Sequence, residues 1–102
     1  MRAMTLSKDQ KKYLRGMTHH LKPVILIGNS GLSDAVKAEI ELALERHELI
    51  KVKLRGSDRE ARTEAITTIA TEHRCELIHA IGGVASFYRR HPKKPKLAIP
   101  DS

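Results

Sequence analysis

Residues 28–31 read Gly-Asn-Ser-Gly, set between an apolar run, Val24 to Ile27, and an amphipathic stretch that starts at Leu32. A tight strand-to-helix turn needs one glycine. Two glycines around two small polar residues leave the backbone open to close approach. Free N–H groups at such a turn, with a helix N-terminus behind them, favour a phosphate. The plain alternative is a turn eased by glycine, and a lone Gly-x-x-Gly is a weak signal. The stretch is not a P-loop, because no Gly-Lys-Ser/Thr follows. It also lacks the third glycine of a dinucleotide-binding loop.

The other reactive side chains do not assemble into a site. His19, His20, His47, His73, His79 and His91 are scattered, without the i, i+4 pairing and accompanying carboxylate of a helical zinc site. Cys75 has no base beside it in sequence and reads as a small buried thiol. Ser30 and Ser33 are accounted for as turn and helix cap. No enzyme, metal or cofactor is therefore expected.

Charge is more telling. Nineteen Lys and Arg stand against twelve Asp and Glu, giving +7 and a pI near 9.9. In a chain of 102 residues this favours a polyanionic partner, nucleic acid first and an anionic membrane surface second. Tyr13, Phe87 and Tyr88 are the only aromatics. An RNA reader that stacks bases on exposed aromatic rings is poorly served by that set, so phosphates and shape are the expected targets. Phe87 itself reads as core. No apolar run approaches the roughly 20 residues that span a bilayer. The N-terminus carries no signal-peptide pattern, and one cysteine suits a reducing compartment, so a cytoplasmic protein is expected.

These residues need a scaffold, and the periodicities supply one. Ser7 with Gln10 forms a capping box for a helix over about Ser7 to Thr18, which Gly16 weakens or ends. Pro23 blocks helix, and "VILI" reads as a strand buried on both faces. Ser33 caps a second helix that ends near His47, with Leu32, Val36, Ile40, Ala43 and Leu44 inward. From Leu49 to Arg55, Ile50, Val52 and Leu54 alternate with Lys51, Lys53 and Arg55, one apolar face against three cations. Ser57 and Glu60 suggest a capping box for a third helix to about His73, with Ala61, Ala65, Ile66, Ile69 and Ala70 inward. A Gly82-Gly83 hairpin follows. The stretch "RRHPKKPK" within the tail of about 89–102 reads as solvated and extended. The result is an α/β single domain, α-β-α-β-α-β-β, with a four-stranded mixed sheet and part of one sheet face uncovered.

The segment "LKPVILIGNSGLSDAVKAEIELALERHELIKVKL", preceded by "LSKDQKKYLRGMTHH" and followed by "IGGVASFYRR" and "AIP", resembles the bacterial YhbY family of CRM-domain proteins. The resemblance covers about residues 5 to 100. It implies a fold similar to the C-terminal domain of translation initiation factor three. It further implies a non-enzymatic RNA-binding protein associated with precursors of the large ribosomal subunit, with Gly28, Asn29, Ser30 and Gly31 as the RNA-contacting loop. Asn29 and Ser30 are uncharged, so cationic grip must come from neighbours. Lys8, Lys11, Lys12, Arg15 and Lys22 are candidates from the first helix and its exit. Lys51, Lys53 and Arg55, or Arg89 to Lys96, would widen the surface; the pattern leaves open which of them share the loop's face. A monomer is expected. Two other readings remain: an Alba-like nucleic-acid-coating dimer, and an adaptor that binds ribosomal proteins.

Overall fold

Ser7 opens the first helix as a reciprocal cap. Its hydroxyl accepts from the Gln10 N–H at 3.1 Å, and the Gln10 side chain accepts from the Ser7 N–H at 2.9 Å. The chain is seen in a computed structural model that describes residues 6–28, 31–55, 58–91 and 93. In order, the elements are α1 (Lys8–Thr18), β1 (Ile25–Ile27), α2 (Asp34–His47), β2 (Leu49–Leu54), α3 (Arg59–Glu72), β3 (Glu76–Ile81) and β4 (Val84–Tyr88). This is the α/β succession expected from the sequence.

Helix α1 ends at Thr18 as expected and is not broken at Gly16; the Thr18 hydroxyl donates to the Arg15 carbonyl at 2.6 Å. Other local expectations need correction. The cap of α3 is Asp58, whose carboxylate accepts from the Ala61 N–H at 2.8 Å; Ser57 lies outside the described residues. Ala61 is exposed, although Ala65, Ile66 and Ala70 do pack against the core around buried Ile69. Arg89 and His91 are tied to the fold rather than solvated. The Arg89 N–H donates to the Glu48 carbonyl and the His91 N–H to the Glu48 carboxylate. The tail beyond this, except Lys93, lies outside the described residues.

The sheet order is β1-β2-β4-β3, with β1 and β2 parallel and β4 antiparallel to both its neighbours. The hairpin strand is thus threaded into the middle rather than added at an edge. Glycine makes that possible at two adjacent positions. Gly82 takes φ +59°, which suits the first residue of a two-residue hairpin turn. A Cβ on Gly83 would lie 2.7 Å from the Leu54 carbonyl oxygen, so only glycine lets β4 start against the end of β2.

Two cores form, one on each face of the sheet. Helices α2 and α3 cover one face, burying Ile25, Ile27, Ile50, Val52, Leu54, Ala85 and Phe87 under Ile40, Leu44 and Ile69. Helix α1 lies on the other face, packing Leu14 with Leu49, Ile78 and Tyr88, flanked by Met17 and Leu21. Strand β1 is therefore buried on one face only. Val24 is 50% exposed and Leu26 is 51% exposed, because α1 stops short of them.

Candidate nucleic-acid interface

The glycine loop leaves β1 and enters α2. Gly31 needs its residue type, since it takes φ +72° while its N–H donates to the Gly28 carbonyl at 3.1 Å. Ser33 then caps α2, its hydroxyl accepting from the Val36 N–H at 3.2 Å. Gly28 has no such requirement: among the described residues a Cβ there would meet nothing within 4 Å, and its φ is not in the left-handed region. Asn29 and Ser30 lie outside the described residues.

Register decides which cations share this end of the sheet. The Arg55 N–H donates to the Ile27 carbonyl at 2.9 Å, which places Arg55 beside the start of the loop. Lys53 lies two residues back along β2, opposite Leu26, and is exposed. The Gly82-Gly83 turn reaches the same end, since the Leu54 N–H donates to the Gly83 carbonyl.

The remaining cations sit elsewhere. Lys8, Lys11, Lys12 and Arg15 are exposed along α1, over the end of the sheet where β2 begins and β4 finishes. Lys11 also pairs with Glu76 of β3 at 3.5 Å. Lys22 lies at the entry to β1, the opposite end of that strand from Gly28. It borders an apolar groove of about 310 Å³ that includes Met17, His20, Val24, His47 and Leu49. Lys51 points under α1. Its ammonium donates to the Thr18 carbonyl at 2.9 Å and the Leu21 carbonyl at 3.2 Å, closing the C-terminal end of the helix. Lys51 and Lys53, alike in the sequence pattern, thus have different surroundings. Nothing local could have separated them, because the carbonyls that hold Lys51 are some thirty residues away.

Behind the sheet, α2 and α3 are joined to the chain after β4 by a polar cluster. Glu41 accepts from the His73 ring at 2.9 Å and the Arg89 guanidinium at 2.7 Å, while Arg89 also donates to the His73 carbonyl. Partial burial alone would raise the Glu41 carboxyl, but the His73 and Arg89 contacts outweigh it and hold it below the usual value. At the end of α2 the wholly buried Glu48 takes φ 61° and carries the chain from helix to strand in one residue. Burial, and then the Glu48 charge, push the Tyr88 hydroxyl upward.

Three helices on a four-stranded mixed sheet, with a capped glycine turn and an exposed basic helix, define a small cationic α/β domain. Residues 6–89 match the CRS1 / YhbY (CRM) domain model, and the chain belongs to that family. It is 44% identical over 96 residues to an RNA-binding protein of Haemophilus influenzae, covering 94% of this chain and 96% of that one. A probable RNA-binding protein of Pseudomonas aeruginosa is 42% identical, over 91% of this chain and 89% of its own. The solution structure of a Staphylococcus aureus protein described as a candidate RNA binder superposes with a TM-score of 0.80 at 30% identity. That match covers 94% of this chain and all of the other.

Proposed function

We propose that this chain is a non-enzymatic RNA-binding protein that acts as a monomer in the cytoplasm, on ribosomal RNA of large-subunit precursors. RNA is supported by the relatives named for RNA binding and by the net charge of +7. The ribosomal target rests on the resemblance to the YhbY family. The observation that carries the loop's role is Gly28, a glycine that neither a positive φ nor, among the described residues, a neighbouring atom demands. Its bare backbone leaves room for a phosphate in front of the α2 N-terminus. Arg55 and Lys53 flank it.

Gly28→Asp tests the loop. The new side chain enters open space, so the fold should tolerate it. A carboxylate about 6 Å from a phosphate repels it by roughly 0.7 kcal/mol in bulk water and about 3 at an effective dielectric near 20. RNA affinity should fall between about threefold and a hundredfold at fixed salt. A variant that melts normally and binds RNA like the parent would move the site away from the loop. Crosslinking in cells with sequencing of the bound RNA tests the ribosomal assignment. Ribosomal association that survives nuclease would instead favour the protein adaptor.

A further inference from the structure

Among the described residues, helix α1 covers only part of its sheet face, and the register shows what is displayed on the rest. Leu26 of β1 pairs with Lys53 of β2, Lys53 with Val84 of β4, and Val84 with Ile81 of β3. The four side chains form one row across all four strands, next to the end of the sheet that carries the glycine loop. Leu26 and Ile81, at the two ends of the row, are 51% and 69% exposed. Strand spacing of about 4.8 Å makes the row about 14 Å long. Exposed Leu26 and Ile81 with half-buried Val84 between them make a row of apolar surface on the sheet face, which suits a partner that has apolar surface of its own.

The charge on this surface selects among partners. Lys53 sits within the row and Arg55 follows just past the end of the same strand, in a protein of net charge +7. A second copy docked about a twofold axis would bring the two Lys53 side chains toward each other, which like-charge repulsion opposes. An anionic partner with apolar surface fits better. Paired RNA would offer this row ribose, phosphate and polar base edges, because the apolar base faces are stacked inside the helix. An unpaired segment offers both phosphates and the flat apolar faces of its bases.

We propose that Leu26, Val84 and Ile81 form an aliphatic platform for two or three bases of unpaired RNA, with Lys53 engaging the intervening phosphate. The platform rests on the RNA-binding reading and deepens it: the preferred substrate is single-stranded, and the strand runs from the glycine loop onto the bare sheet. The aromatic-poor composition is then no obstacle, since aliphatic side chains provide the apolar surface.

The test uses the full chain, a fluorescent unstructured ten-nucleotide RNA, and a blunt duplex of the same length. Leu26→Thr with Ile81→Thr keeps strand propensity while removing apolar surface, and Lys53→Gln is a second, independent probe. The threonine pair should weaken single-strand binding about tenfold, toward the low end of what a base contact contributes, and leave duplex binding unchanged. Lys53→Gln should lower the salt dependence of single-strand binding by about one counterion. Equal single-strand affinity in the parent and the threonine pair would overturn the platform while the RNA reading stands. A parent that binds neither RNA would remove both. Two further results would assign the row to another occupant: concentration-dependent dimerisation abolished by the threonine pair, or equally strong displacement of the RNA by polyglutamate.

Discussion

Single side chains here owe their chemistry to their neighbours. Cys75 reads from sequence as a small buried thiol, and burial pushes it up to about 12 from an ordinary 9.0. Its Sγ lies 3.6 Å from the Ile69 carbonyl, and the residue is 7% exposed. At pH 8 a thiolate-directed reagent should therefore label the native protein at least about a hundredfold more slowly than the denatured chain. Glu41 was unremarked in the sequence pattern, yet it holds α2 to His73 and Arg89. Its folded value lies below the ordinary 4.5, so its contribution to stability is present above 4.5 and lost as pH falls through the lower folded value. Denaturant midpoints measured from pH 6 downward should fall less steeply in Glu41→Gln than in the parent. The effect will be small, because the carboxylate is about half exposed.

At the scale of elements, caps and turns were legible where the determinants are local. The Ser7–Gln10 pair and the Ser33 cap read directly, since each involves residues three apart. Asp58 was missed because Ser57 with Glu60 presents an equally good pattern one residue earlier. Asp58→Ala should cost about 1 kcal/mol in a denaturant melt, as should Ser7→Ala. Gly83→Ala should cost more, about 1–3 kcal/mol, because its methyl would meet backbone that cannot rotate away. A hairpin signal predicts the turn; it does not predict that the turn abuts the end of β2. Likewise "VILI" looks like a strand buried on both faces, because a short apolar run carries no mark of which side a helix will leave open. The missing cover over Val24 and Leu26 is a property of where α1 ends.

For the whole molecule, charge and topology act together. If binding engages about five phosphates, log affinity should fall with log salt at a slope of about −3.5 to −4.5. A slope near zero would remove counterion release as the driving force. The α-β-α-β-α-β-β order, the inward stripes of α2 and β2, and the basic character are all written in the local pattern of residues. Each of these follows from periods of 3.6 and 2 or from simple summation of charge. Tertiary structure alone decided that β4 lies between β2 and β3, and that α1 packs opposite the other helices. It also decided that the α1 cations and Lys22 lie away from the end of the sheet where the glycine loop joins. The same packing holds Lys51 against the Thr18 and Leu21 carbonyls and leaves Lys53 exposed beside Leu26. Those outcomes depend on contacts between residues far apart in the chain, and local patterning carries no record of them.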